Sequence, residues 1–587
     1  MPQAIAPAPS SGPASWLPLL RDFWRLAGPY WRSPRRFTAW ALSGGMIALT
    51  VAQVALAVAL NFWNQRFFDA IGAGQLDLFY RLIGLFAAIV LAQMLVNVAH
   101  LNVKRRLQID WREWLTRRVV EEWMVDGRHY RLGQAAGDPD NPDGRIAEDI
   151  RNATEFAVEL ANSAIYSNLL LISFVEILWT LSGVVSLQFG GMDLELPGHL
   201  VWIALAYAVV GIWAALLVGR SLSPAANRRQ GAEQDFRFGL ARARQNALGI
   251  ALLGGEADER RRFFGLFDGA IAAWQRQTRA LSSIFAYTSG WSLLSVVFPV
   301  LVAAPRYIAG TISLGTLMQS AQAFQQMAAA LSWPVDNLAH AADWRASVER
   351  VRDLERALQP SVGRAPPGPV VARDAAGFAL QDVSLREPDG RVLVQHLDLS
   401  AAPGERLVAT GPSEVTGRLF AAIAGLWPWA DGCIMLPRLG GAFFVPQSSY
   451  LPSGKLRDAV CYPTPPDTCG DGAIAAALQR VGLEDLTPRL HETAAWEHAL
   501  SHEEQQRMAV ARLLLHRPAA IFLDNAFDAL EPAQEDAMMD LIERAFPDAV
   551  VLSIRRRAGA TDGFTRRIAF ELRDGAIVLR DTPLKPH

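Results

Sequence analysis

The sequence predicts a chain in two parts, an α-helical membrane domain of six spans followed by a soluble α/β domain. Three observations carry this. Six stretches of the length a helix needs to cross the hydrocarbon layer, about 20 residues, are nearly free of formal charge. A Pro/Gly-rich connector, "LQPSVGRAPPGPVV", follows Val351, and short apolar runs that read as alternating strands and helices follow it. At 587 residues, 51% hydrophobic and 19% charged, the chain is also too long for one core and more apolar than a typical soluble enzyme.

The elements follow in order. Residues 1–23, rich in Pro, Ala and Ser at their start, read as a disordered tail rather than a signal peptide. Residues 24–351 form the membrane domain. Its spans are Phe37–Leu60, Leu82–Val103, Asn162–Phe189, Leu200–Gly219, Ser282–Ala304 and Thr311–Val335. The sixth contains Gln and Ser residues that need a protein-facing side. Lys104 to Arg151 and Arg220 to Arg279 are long and arginine-rich, whereas Gly190 to His199 holds Asp193 and Glu195 but no Lys or Arg. The arginine-rich segments therefore face the cytoplasm, as do both termini. Trp40, Trp202, Trp291 and Trp333, near span ends, read equally well as interfacial anchors or as packing residues. Residues 352–370 are the linker and 371–587 the α/β domain. The net charge of -2 gives no electrostatic argument for a nucleic-acid partner. Cys433, Cys461 and Cys469 lack metal-ligand spacing and read as idle thiols.

One span carries a carboxylate. Glu176, in "LLLISFVEILWTLSG", lies near the middle of the third, where an ion facing lipid costs several kcal/mol. It is expected to face protein or water. Two readings stand: a proton- or substrate-binding group in a central cavity, or a neutral, hydrogen-bonded carboxyl between helices.

"GDPDNPDGRIAEDIRNATEF", Gly137 to Phe156, is followed by a span and then by "RFGLARARQNALGIALLGGEADERRR". With "SLGTLMQSAQAFQQM" and "DNLAHAADWRASVERV", these segments resemble the membrane domain shared by subfamily D ABC half-transporters and the bacterial SbmA/BacA-like proteins. The Asn141 to Asp149 run is specific to that group, and the likeness covers most of the chain from Trp24 onward. It departs at Gln245 and Leu248, where the group usually has glutamates, while Glu256 remains. The resemblance implies an exporter-type ABC fold, helical cytoplasmic extensions, pairing of six-helix halves as dimers, an inner-membrane location, and a peptide, vitamin or lipid-like substrate. It also implies that 371–587 is an ABC-type nucleotide-binding domain with ATP and Mg as cofactors.

The site residues implied by that resemblance are Gly411, Ser413, Thr416, Gly417, Arg418, Gln447, Ser501 and Asp524. A phosphate loop needs converging backbone N–H groups, a lysine for the β- and γ-phosphates and a hydroxyl for magnesium. In "GPSEVTGRLFAAIAGLW" the lysine position falls on Gly417 counted forward, with Arg418 at the hydroxyl position, or on Thr416 counted back from the helix. Arg418 is a poor stand-in, since guanidinium is a wider, planar donor. Asp524 ends an apolar run suited to a magnesium-holding strand, but Asn525 stands where a glutamate orients the attacking water. In "LSHEEQQRMAVARLLLHRP" Ser501, Gln505, Gln506 and Arg507 are kept, yet His502 and Glu503 replace glycines. Glu531 replaces an aspartate, and Arg556 takes the place of the switch histidine. Removing one transition-state group commonly costs roughly 10²-fold in rate. The domain is therefore expected to fold but not to hydrolyse ATP in the ordinary way.

Several functions compete. The first is an ATP-driven half-transporter in the lipid bilayer, acting as a homodimer. The second is a proton-driven transporter with a silent nucleotide domain, for which Glu176, Glu155, Glu159 and Glu256 are the coupling candidates. The third is a non-catalytic, regulatory partner in a heterodimer with an active half-transporter. A decaying gene is a fourth, opposed by the uninterrupted spans.

Overall fold

A computed structural model describes residues 16–134, 141–189, 192–359, 368–373, 375–437, 441–555, 563–573 and 576–584. The chain divides into two units: Met1–Val120 with Asn141–Glu355, and Glu121–Asp140 with Arg356–His587.

The first unit is helical. Its helices are α1 (Trp16–Ala27), α2 (Arg36–Gly72), α3 (Leu76–Met124), α4 (Ile150–Ser182), α5 (His199–Gly219), α6 (Leu222–Gln245), α7 (Ala247–Leu253), α8 (Glu256–Ile308), α9 (Leu314–Asp336) and α10 (Leu338–Leu358). Helices covering the first five predicted spans are long and apolar enough to cross a membrane. The sixth predicted span is helical as α9 but is not among those five. Its polar residues are shielded by protein: Gln319 and Ser320 are buried, and Asn61 on α2 donates to the Gln319 carbonyl at 3.2 Å. Ser313 caps α9 by accepting from Thr316 N–H, and Asp69 accepts from Gly315 N–H at 2.9 Å. A Cβ on Gly315 would stand 2.1 Å from the Gln65 carbonyl, so only glycine lets α2 and α9 approach this closely.

Three sequence expectations are corrected here. The third span ends at Ser182 and not at Phe189. Gly183 turns the chain at a positive φ of 63°, and β1 (Val184–Phe189) pairs antiparallel with β2 (Met192–Pro197), which holds Asp193 and Glu195. The tail read over 1–23 is helical from Trp16. Leu26 and Ala27 are buried, and Phe23 meets Trp111 and Trp344 edge-on at 6.0 and 5.0 Å, an aromatic anchor that outweighs the polar composition upstream. Residues 1–15 lie outside the described ones. The linker read from 352 is helical to Leu358, because Val351, Leu354 and Leu358 keep an apolar stripe buried; 360–367 lie outside the described residues.

The run Asn141 to Asp149 has a physical task. Arg145–Asp149 forms a π-helical turn leading into α4. It delivers Asp149, 7% exposed, to Arg350 on α10, whose Nε and Nη2 donate to the two carboxylate oxygens at 2.7 and 2.6 Å. Ser347 Oγ adds a third bond at 3.0 Å.

The second unit carries a ten-stranded sheet. Its strands are β3 (Val370–Ala372), β4 (Phe378–Arg386), β5 (Val392–Ala401), β6 (Arg406–Thr410), β7 (Ala430–Met435), β8 (Ala442–Val445), β11 (Ala520–Asp524), β12 (Val550–Arg555), β13 (Arg566–Arg573) and β14 (Ala576–Pro583), with a separate pair β9 (Gly454–Lys455) and β10 (Thr493–Ala494). The sheet order is β3-β7-β4-β5-β14-β13-β6-β12-β11-β8. Neighbours from β13 to β8 are parallel, and near-continuous apolar runs such as "AIFL" and "VVLSI" are buried there. The β4–β5, β4–β7 and β13–β14 pairs are antiparallel. Residues 121–134, read as part of the membrane domain's extension, group with this unit: Gly127, at a φ of 69°, lies so close to Leu426 that a Cβ would meet its Cδ2 at 2.7 Å.

Candidate functional site

The parallel strands bring the nucleotide-site candidates to one end of the sheet, where open α/β folds place their ligand crevices. Strand β6 ends at Thr410, only Gly411 and Pro412 intervene, and α11 (Ser413–Ile423) begins. Gly411 is required by close approach, since a Cβ there would meet that of Phe570 at 2.6 Å. The first helical N–H groups are turned inward: those of Val415 and Thr416 reach the Pro412 carbonyl at 3.0 and 3.1 Å. Ser413 is exposed, and Glu414 in the first turn pairs with Arg391. Thr416 is buried, its hydroxyl donating to the Pro412 carbonyl at 3.3 Å. Gly417 has no heavy atom near the position of a Cβ. Arg418 donates from Nε to Glu387 at 3.0 Å and lies 4.2 Å over Trp427, whose indole N–H reaches the Arg386 carbonyl.

Asp524 closes β11. Asn525 follows in the left-handed region at a φ of 46°, which Asn tolerates better than Glu. Its amide donates to Asp524 Oδ1 at 2.8 Å, and its N–H to the Ile554 carbonyl. Asp528 gathers two retained glutamines, accepting from Gln447 and from Gln506, each at 2.6 Å. Ser501 is the N-cap of α12 (His502–His516) in a reciprocal capping box with Glu504. Glu503 pairs with Arg507 and accepts from Gln534 at 3.1 Å. Buried Gln505 donates to the Glu497 and Leu500 carbonyls. Glu531 caps α13 (Pro532–Ala545) in a second box with Gln534. Arg556 lies outside the described residues; its neighbour Arg555 pairs with Glu535 at 3.1 Å.

The structure thus brings Gly411, Ser413, Thr416, Gly417 and Arg418 onto one turn and helix. Sequence reasoning missed Glu387, Arg391, Glu414 and Asp528. The signal for Glu414 was its place inside the quoted loop; the others become partners only through the fold.

The four membrane-domain carboxylates are not one cluster. Glu155 and Glu159 are a turn apart on α4. Glu155 borders a groove of about 330 Å³ with Gln108, Arg112 and Thr116, and Glu159 pairs with Lys104 at 3.8 Å. Glu176 lies about 25 Å farther along the same helix and is exposed. Glu256 is exposed in the first turn of α8. A different polar node is buried. Thr50 (0% exposed) and His100 (7%) meet Asn162 where α2, α3 and α4 converge. His100 Nε2 is 3.3 Å from Thr50 Oγ1 and 3.0 Å from Asn162 Oδ1. A lone histidine in the apolar run Leu82–Val103 was the available signal.

The family model described as ABC transporter transmembrane region 2 matches residues 33–308. An uncharacterized ABC transporter ATP-binding protein of Synechocystis is 30% identical over 551 residues, 89% of this chain and 80% of its own length. The inner membrane ABC transporter ATP-binding protein YddA of Escherichia coli K12 is 29% identical, over 92% of this chain and 96% of its own. ABC transporter D family member 2, chloroplastic, of Arabidopsis thaliana is 26% identical over 94% and 87%. In fold, the chain is similar to a bacterial Atm1-family ABC exporter solved with ATP bound, at a TM-score of 0.69 and 16% identity, covering 92% of this chain and 95% of that one. Five membrane-length apolar helices among the described residues, a sheet domain in the same chain and these relatives lead to one conclusion: the chain belongs to the ABC transporter family, as a multi-pass membrane transporter with its membrane and nucleotide-type domains fused.

Proposed function

We propose that this chain is one half of a dimeric inner-membrane transporter for a peptide, vitamin or lipid-like substrate, and that its nucleotide-type domain does not drive transport by ordinary ATP hydrolysis. The observation that carries this is the start of α11. A helix N-terminus ordinarily attracts anions through its free N–H groups and dipole. Here the turn before it is two residues long, Glu414 places a carboxylate in its first turn, and Arg418 is held by Glu387. Magnesium would fall to Asp524, and Asn525 beside it cannot serve as a base. These residues do not fit a magnesium triphosphate. The names of the relatives and the ATP of the similar exporter support the ordinary ATP-driven reading, and the two-residue turn and Asn525 oppose it.

The domain then serves as a brace for pairing, in a homodimer or beside an active half-transporter that supplies the missing lysine and glutamate. In the homodimer the proton gradient is the remaining energy source. We further read α9 as the sixth span, residues 371–587 as the nucleotide-type domain, and both termini as cytoplasmic from the arginine-rich extensions. The test is uptake of labelled peptides, vitamins and acyl compounds into proteoliposomes holding the purified chain. A pH gradient is expected to drive accumulation without ATP. Uptake that needs ATP and ignores the gradient contradicts the reading.

A further inference from the structure

The geometry points to His100 as a proton-binding residue of the membrane domain, with Nδ1 as the atom that takes the proton. This extends the proton-driven reading to a residue outside the four carboxylates. His100 stands near the end of the second apolar run, buried between three helices, and imidazole is the side chain whose charge ordinarily changes near neutrality. An ionisable side chain at such a place needs named partners.

The hydrogen bonds determine its tautomer. Thr50 has one hydroxyl proton, and its Oγ1 lies 2.8 Å from the Met46 carbonyl and 2.9 Å from Asn162 Oδ1. Neither oxygen can donate, so the Thr50 proton goes to one of them and leaves Oγ1 as an acceptor toward His100. Asn162 Oδ1 is likewise an acceptor. His100 Nε2, facing two acceptors, therefore carries hydrogen in the neutral ring, and a second proton binds at Nδ1. The Nε2–H bonds persist and strengthen when the ring becomes cationic.

The charged groups around this node lie one turn away. Lys104 follows His100 on α3 and Glu159 precedes Asn162 on α4, and the two pair at 3.8 Å. On α2 no ionisable residue lies between Arg36 and Arg66. The α3–α4 seam is thus a ladder of two rungs, His100–Asn162 and Lys104–Glu159. Protonation at His100 adds a second cation near the one carboxylate of the ladder. It tightens the first rung and weakens the hold of Lys104 on the second, so that the seam registers proton binding.

The test is hydrogen–deuterium exchange of the α3 segment 94–106 in the nanodisc-reconstituted full chain, at acid and neutral pH with intrinsic exchange rates corrected. The wild type is expected to show a pH-dependent difference in protection. His100→Gln, which keeps a hydrogen-bonding side chain without the titration, is expected to lose that difference. Thr50→Val, which removes one acceptor of Nε2–H and leaves the imidazole in place, is expected to shrink that difference, and it serves if His100→Gln fails to fold. An unchanged difference in His100→Gln, or in Thr50→Val, overturns the assignment. Either result leaves the proton-driven reading itself to be decided by uptake into proteoliposomes under a pH gradient without ATP.

Discussion

Replacing Asp149 tests how the run Asn141 to Asp149 holds the membrane domain together. The carboxylate is 7% exposed and accepts from Arg350 at 2.7 and 2.6 Å and from Ser347 at 3.0 Å. Hydrogen bonds to a charged group contribute roughly 1.5–3 kcal/mol each but do not add. Removing one partner of a buried pair costs about 3–5 kcal/mol. The Arg350 side chain is 47% exposed and can rehydrate, whereas Ser347 is buried and cannot. Asp149→Ala should therefore fall at the lower end, about 3 kcal/mol. Asp149→Asn keeps one acceptor and should lose about 1.5 kcal/mol. The assay is denaturant unfolding of the micelle-embedded chain, followed by the tryptophans of the first unit. With Arg350→Ala and the double variant, the cycle should give a coupling of roughly 2 kcal/mol. A value for Asp149→Ala within about 0.5 kcal/mol of wild type, the range of ordinary surface changes, would refute the reasoning.

Other predictions concern single sites. The Cys461 thiol is pushed up to about 12, first by burial and then by its hydrogen bond with Cys469. At pH 8 it has almost no thiolate, so Cys461 should escape alkylation in the folded chain while half-exposed Cys433 and Cys469 react, as read by peptide mass spectrometry. Alkylation of Cys461 faster than unfolding would contradict this. Gly315→Ala should destabilise the first unit by about 3 kcal/mol, because its Cβ would push α9 off α2 at the Gln65 carbonyl; unchanged unfolding would show that the helices yield freely. Gly417→Lys with Arg418→Ser should not confer ATP turnover, since the two-residue turn and Glu414 remain. Restored hydrolysis would show that the missing side chains alone silence the site.

Much of the fold was legible because its signals are local. Charge-free runs of membrane length mark helices, and buried parallel strands read as apolar runs ending in Asp524. The misses have tertiary causes. The third span was drawn through Gly183 into β1 because an apolar strand and an apolar helix look alike without a partner strand. Trp16–Phe23 read as tail because the packing of Phe23 depends on Trp111 and Trp344, far away in sequence. At the nucleotide site the missing lysine and Asn525 could be read by position. That Glu414 and Glu387 engage Arg391 and Arg418 could not, because those partners arrive from other parts of the unit. The same holds for His100, whose meaning depends on Thr50 and Asn162 from two other helices.

The central claim is that this nucleotide-type domain is chemically silent. Its most direct measurement is ATP binding and turnover by the purified chain in nanodiscs, beside Asp524→Ala. The account predicts no turnover above background and no difference between the two proteins. Turnover by the wild type that disappears in Asp524→Ala would contradict it and place the chain among ordinary ATP-driven transporters.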